Sequence, residues 1–235
     1  MKRIFKTLKK KWPEYLLEII VLIVGIYGAF ALESWGTDKE LKAKEKVYLK
    51  NLKQELTQNL IDLESKIVAH ETTIQNLDRL TTLIRPNPEQ IPLHSFDTLM
   101  LYYFIVPQHT PRTTHLHSDF RDQLSNTNLQ ESLGMWSYYY SEYQKSAKVV
   151  YDQHEENLMA ISPFYQFKNL RGPNNTYLAR PSQFAIDQRA ILGNSEFENH
   201  VIRKSLNVSL MLRKAKNLKK QQQQIIELLS NETTL

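Results

Sequence analysis

One unbroken apolar run constrains this chain more than any other feature: Tyr15-Leu-Leu-Glu-Ile-Ile-Val-Leu-Ile-Val-Gly-Ile-Tyr-Gly-Ala-Phe-Ala-Leu32. As an α-helix, about 18 such residues rise roughly 27 Å, close to the roughly 30 Å hydrocarbon core of a bilayer. Lys2, Arg3, Lys6, Lys9, Lys10 and Lys11 precede the run with no acid among them, and Trp12, Tyr15 and Trp35 flank it like an aromatic belt. The reading is a basic juxtamembrane tail over 1–14, a transmembrane helix over 15–35, and a domain over 36–235 long enough for one well-formed core.

A cleaved signal peptide is the rival reading, because Ala29-Phe30-Ala31 has the small-x-small form of a cleavage site. Against it, the run is longer than a usual signal core, contains Glu18, and has no polar stretch before Ala31. Cationic residues set orientation. The N-terminal flank is dense in them, whereas Lys39, Lys42, Lys44, Lys46, Lys50 and Lys53 are spread out and mixed with acids. This places the N-terminus in the cytoplasm and the domain outside an inner (cytoplasmic) membrane, hence in the periplasm if the cell has two membranes.

Within the span, Glu18, Leu22, Gly25, Ala29 and Leu32 recur at four- and three-residue steps and share one helix face. Gly25 and Ala29 form a small-xxx-small pair that lets two backbones approach closely, which points to a homo-oligomer. Glu18 lies about one turn inside the boundary, where a carboxylate must be protonated, paired or snorkelled. Three readings stay open for it: snorkelling to a tail lysine, subunit association, or an ion path.

The rest of the chain reads as all-α. It is poor in Gly (6 residues) and has no Cys, which excludes disulfides, thiolate catalysis and zinc ribbons. From Asp38 to Arg85 there is neither Pro nor Gly. Leu49, Leu52 and Leu56 open an apolar stripe that continues, after a four-residue stutter, through Leu60, Leu63, Ile67, His70, Ile74, Leu77, Thr81 and Ile84. This predicts one long amphipathic helix running on from the span, with His70 and Thr81 as satisfied core polar residues. Pro86, Pro88 and Pro92 break it. Ser95 is expected to cap a short aromatic helix over Phe96–Val106, and a third helix is expected from near Ser118 to Pro163 along Leu133, Trp136, Tyr140, Tyr143, Ala147, Val150, His154 and Leu158. Tyr138 and Tyr139, with Tyr140 and Tyr143, belong to the core and rim of that bundle. Residues 164–182 read as a surface loop, and loops fall near 86–94, 107–118 and 163–195.

The final helix carries the cleanest pattern. Phe197, Val201, Lys204, Val208, Met211, Ala215, Leu218, Gln222, Ile225 and Leu229 step by four and three, and Asn194 or Ser195 can cap the start. Such a heptad seeks a partner helix, either within the chain or in another copy. Arg213, Lys214, Lys216, Lys219 and Lys220 form its solvated face.

Chemistry is sparse. His115-x-His117-x-Asp119, with His109 upstream, is the ligand-like cluster, since alternate residues of an extended segment point the same way. Two nearby His are common by chance, so no metal is assigned. No Gly-rich phosphate loop, nucleophile elbow or His-Glu-x-x-His helix occurs. No catalytic residue and no cofactor is therefore assigned, and the net charge of +5 sits largely in the tail, where it suits anionic lipid headgroups rather than nucleic acid.

Glu14-Tyr-Leu-Leu-Glu-Ile-Ile-Val-Leu-Ile-Val-Gly-Ile-Tyr-Gly-Ala-Phe-Ala-Leu-Glu-Ser-Trp35, followed by Tyr48-Leu-Lys-Asn-Leu52, resembles the start of an uncharacterised bacterial family of single-span membrane proteins, a domain of unknown function. Weaker similarities are Phe120-Arg-Asp-Gln-Leu124, Tyr139-Tyr140 and Ile191-Leu-Gly-Asn-Ser-Glu-Phe197. The resemblance implies an N-terminal anchor with a helical-bundle domain, and no site residues. The expectation is a membrane-anchored, non-enzymatic scaffold or sensor-like module, with the lipid bilayer, further copies of itself and an unidentified protein as partners. The alternative is an ion-conducting or transport-accessory subunit using Glu18.

Overall fold

The computed structural model describes residues 2–88, 92–116, 121–122, 124–171, 182–184 and 187–232. It is all-α: helix α1 spans Lys2–Leu83, α2 Leu93–Phe104, α3 Thr127–Ile161 and α4 Ser195–Glu232, with short 3-10 helices at Phe167–Asn169 and Gln188–Gly193. The chain divides into two compact units, residues 1–50 and 51–235.

The first unit is the N-terminal stretch of α1. From Leu16 to Trp35 its large apolar side chains are exposed, Val24 to 64% and Leu32 to 70%. Beyond them the surface turns polar: the Lys39 ammonium sits 5.3 Å from the Trp35 ring centroid, and Lys44 pairs with Glu40 at 2.7 Å.

In the second unit α4 runs antiparallel to both α1 and α3. Its side chains pair down α3 as Gln222 with Trp136, Lys214 with Glu142, Asn207 with Gln153 and Arg203 with Glu156. Down α1 the pairs are Lys219 with Glu64, Lys216 with Glu71 and Ser205 with Asp78. All ten positions of the α4 heptad are buried, so the partner helices lie within the chain. Each large apolar residue buried there contributes about 1.5–3 kcal/mol, against well under 1 kcal/mol for each flanking exposed ion pair.

Helix ends follow local chemistry. Asn194 Oδ1 accepts from the amides of Glu196 (2.7 Å) and Phe197 (3.3 Å), and Glu196 and Glu198 in the first turn suit the positive end of the helix dipole. At α1 the Ile84 amide tightens onto Thr81 O (3.1 Å), the Arg85 amide donates to Leu192 O (3.0 Å), and Pro86 cannot continue the helix.

Several expectations are corrected. The short helix starts at Leu93, not behind a Ser95 cap: Pro92 carries no side-chain cap but its carbonyl accepts from the Ser95 amide at 3.1 Å. It ends at Phe104, because Ile105 is extended and Pro107 disfavours helical backbone just before it. The third helix starts at Thr127, where Asn126 accepts from the Leu129 amide at 3.1 Å; Ser118 lies outside the described residues. On α1, Asn59, Thr73 and Leu80 are buried where Leu60, Ile74 and Thr81 were expected, and these three are half-buried. On α3, Ser146, Gln153 and Asn157 are buried, while Tyr140, His154 and Leu158 are half-buried.

The segment after α3 is more than a surface loop. Tyr165 is buried and its hydroxyl donates to Asp97 Oδ1 on α2 at 2.9 Å. Burial raises the Asp97 carboxyl above its ordinary range, against the hydrogen bond from Tyr165 and the charge of Arg171. Around this lock Phe96, Tyr103, Phe104, Leu192 and Phe197 close a second core, with the Tyr103 and Phe197 rings edge-to-face at 5.6 Å. Gly172, Pro173, Asn174, Asn175 and Pro181 lie outside the described residues.

Candidate functional site

Three polar residues on α1, Glu55, Asn59 and Asp62, recur at helical spacing and face the segment that links α2 to α3. A buried polar group must find a partner, and each of these finds it on that segment. Asn59 makes a reciprocal pair with Arg112: its Nδ2 donates to Arg112 O at 2.7 Å, and its Oδ1 accepts from the Arg112 amide at 2.9 Å. Glu55 accepts from the amides of His115 (3.1 Å to Oε2) and Leu116 (3.3 Å to Oε1), with His115 Nδ1 at 3.0 Å from Oε2. Asp62 Oδ2 lies 2.6 Å from His109 Nδ1, and the His109 amide donates to the Tyr143 hydroxyl on α3 at 2.8 Å. The linker is thus strapped across α1 and α3 as an extended chain whose backbone is paired by side chains.

Electrostatics tune the strap. His109 is 3% exposed, and burial holds its imidazole below the usual range despite the Asp62 carboxylate beside it. Burial pushes Asp62 up, but the His109 hydrogen bond and the Lys66 charge outweigh this and leave it below the usual carboxylate range. His109 Nε2 is buried and has no hydrogen-bond partner among the described residues. A His–Asp pair can orient a general base; here the pair joins the linker to α1.

Beneath the strap a cleft of about 310 Å³ is lined by Gln108, His109, Tyr140, Tyr143, Lys148 and Tyr151. A second, of about 240 Å³, shares Gln108 and Tyr151 with the first and reaches Phe104, His154 and Lys204. Together they follow α3 along one side of the strap.

Of the residues singled out from sequence, those of the span fall elsewhere. Glu18, Gly25 and Ala29 lie along α1 of the first unit, all exposed, and a Cβ built on Gly25 meets nothing within 4 Å. Of the ligand-like cluster, His115 is tied to Glu55, His109 to Asp62, and His117 and Asp119 lie outside the described residues. Among the described residues no group of three or more His, Asp or Glu is placed to hold a metal. His70 departs from expectation: it is fully buried, neither ring nitrogen is hydrogen-bonded among the described residues, and burial, with the Lys66 charge, pulls its pKa down to about 4. Thr81 instead donates to Leu77 O at 3.0 Å.

Sequence reasoning did not find Glu55, Asn59 and Asp62. Their spacing of four and three was visible, but their partners are largely backbone groups more than fifty residues away, with no pattern of their own.

Fold and strap define an all-α helical-bundle protein with one helix long and apolar enough, by length and composition, to cross a membrane. No protein-family model, curated protein or solved structure matches the chain.

Proposed function

We propose that this chain is a single-span, membrane-anchored helical module, non-enzymatic and sensor- or scaffold-like, which self-associates through its span. One observation carries the reading: an apolar helix stretch of bilayer length in which no residue is buried within the chain. Leaving such a row in water costs about 1.5–3 kcal/mol per large side chain, so a lipid phase is its natural cover. The basic tail before it suits a cytoplasmic N-terminus at the inner membrane. The strap and its cleft suit recognition rather than turnover.

The test is alkaline carbonate extraction of membranes carrying the full chain, followed by mass measurement of the nanodisc-embedded protein. Retention in the membrane pellet and a defined oligomer are expected. Full release by carbonate sinks the anchor, and a monomer sinks the association. A second reading, an ion-conducting or transport-accessory subunit, draws on the exposed Glu18 within the apolar stretch; it requires Glu18→Gln to alter conductance while assembly persists.

A further inference from the structure

Lys204 is the only lysine or arginine buried among the described residues, 1% exposed on the α4 stripe between Val201 and Val208. Four other cations of α4 have acids: Arg203 has Glu156, Lys214 has Glu142, Lys216 has Glu71 and Lys219 has Glu64. Lys204 has no such partner among the described residues, and burial alone pulls its ammonium down to about 8, which leaves it charged at neutral pH. A buried, uncompensated ammonium costs several kcal/mol. At this heptad position a Leu or Met would be the stabilising choice.

Lys204 lines the second cleft, whose walls are otherwise mostly apolar: Phe104, Ile105, Val150 and Tyr151, with His154 beside them. Burial and the Lys204 cation both disfavour charge on His154. The cleft thus offers one cation, one neutral imidazole and an aromatic-aliphatic wall. A monoanion balances that charge, whereas a dianion such as phosphate would bring a second charge with nothing to meet it. At about 240 Å³ the space lies below the size range of sites for drug-sized ligands and suits a small molecule.

We infer that the cleft between the strap, α3 and α4 binds a small monocarboxylate with an apolar body, its carboxylate on Lys204 and its aryl or short alkyl group against Phe104, Ile105, Val150 and Tyr151. This goes beyond the anchoring reading and does not depend on it.

The experiment is calorimetric titration of the full chain in phosphatidylcholine nanodiscs, with protein-free discs as the baseline. The probes are 3-phenylpropionate and its neutral counterpart 3-phenylpropan-1-ol, against wild type, Lys204→Arg and Lys204→Met. Saturable binding of the acid is expected in wild type and Lys204→Arg. In Lys204→Met it should weaken at least about tenfold, the loss of one charge-assisted hydrogen bond, while the alcohol binds wild type and Lys204→Met alike. No saturable acid binding to wild type above the protein-free discs overturns the inference, and so does equal acid binding by wild type and Lys204→Met. Because Lys204→Met removes a buried charge and shortens the side chain by only its terminal atom, its fold is expected to hold, and Lys204→Arg tests the cation independently.

Discussion

The Trp136 indole nitrogen donates to Gln222 Oε1 at 3.0 Å, and the amide of the same Gln222 donates onward to Leu56 O at 2.7 Å. One fully buried glutamine therefore joins α3, α4 and α1 at a single level. Gln222→Leu leaves the indole donor buried without an acceptor, and should cost about 1–3 kcal/mol. A lowered urea midpoint with shifted tryptophan emission checks it; an unchanged midpoint counts against the three-helix tie.

Asn59 both donates to and accepts from the Arg112 backbone. Asn59→Leu removes both bonds and should cost about 2 kcal/mol, with faster hydrogen exchange at the Arg112 amide and earlier proteolysis of the strap. Asn59→Asp keeps the acceptor and should protect that amide better than Asn59→Leu. Identical exchange in all three proteins would mean that Asn59 does not hold the strap.

His70 has a folded pKa of about 4 and an unfolded pKa near 6.5. Between those values the unfolded chain binds the proton and the folded chain does not, so stability falls as pH drops from 6.5 towards 4. The loss approaches about 3 kcal/mol. In His70→Leu most of this slope should vanish. A residual slope of the same sign should remain, because His109 is also held below its ordinary range. Urea midpoints at pH 7 and pH 4.5 measure both.

Lys204 gives the opposite corner of the pH range. Its unfolded pKa is near 10.5 and its folded pKa about 8. Below pH 8 the folded state carries the full cost of the buried charge, and between 8 and 10.5 that cost is relieved as the folded lysine loses its proton first. Lys204→Met should therefore stabilise by up to about 3 kcal/mol at pH 7, and by progressively less towards pH 10. A gain that stays constant with pH would show that the charge is not its source.

Gly25 sits where an added Cβ meets nothing within 4 Å, so Gly25→Leu leaves the isolated helix undisturbed. If the span self-associates through Gly25 and Ala29, this variant should drop from oligomer to monomer by nanodisc mass, with the bundle's urea midpoint unchanged. An oligomer that persists places association elsewhere.

The contrast between α4 and α1 shows what was legible in the sequence and why. On α4 every buried position could be named in advance, because its seam packs helix against helix and hydropathy repeats at that spacing. On α1 the register was read one residue out at Leu60 and Ile74, because Asn59 and Thr73 are buried and polar, and at Thr81, where the apolar Leu80 is buried instead. Glu55 and Asn59 are buried by bonding to a loop, and a loop has no period to read. The aromatic core was foreseen only in part: Tyr165 and Leu192 lie in a segment whose Gly and Pro content reads as surface, and they are drawn inside by Asp97 and by the Arg85 bond to Leu192. The cleft was not legible at all, since its walls come from α2, the linker, α3 and α4, and its lysine was one polar position on a regular heptad.

The bond between Gln222 and Leu56 crosses 166 residues of chain, which sets a clock on biogenesis. At roughly 5–20 residues per second of synthesis, the first bundle helix leaves the ribosome on the order of ten seconds or more before its last partner exists. Until then its leucine stripe lacks the cover of α4, and only its end, at Leu77, Leu80 and Ile84, has a near neighbour in the chain, α2, to pack against. Such distant pairing is slow to nucleate, and transiently exposed apolar surface of this kind is an aggregation hazard for as long as it waits.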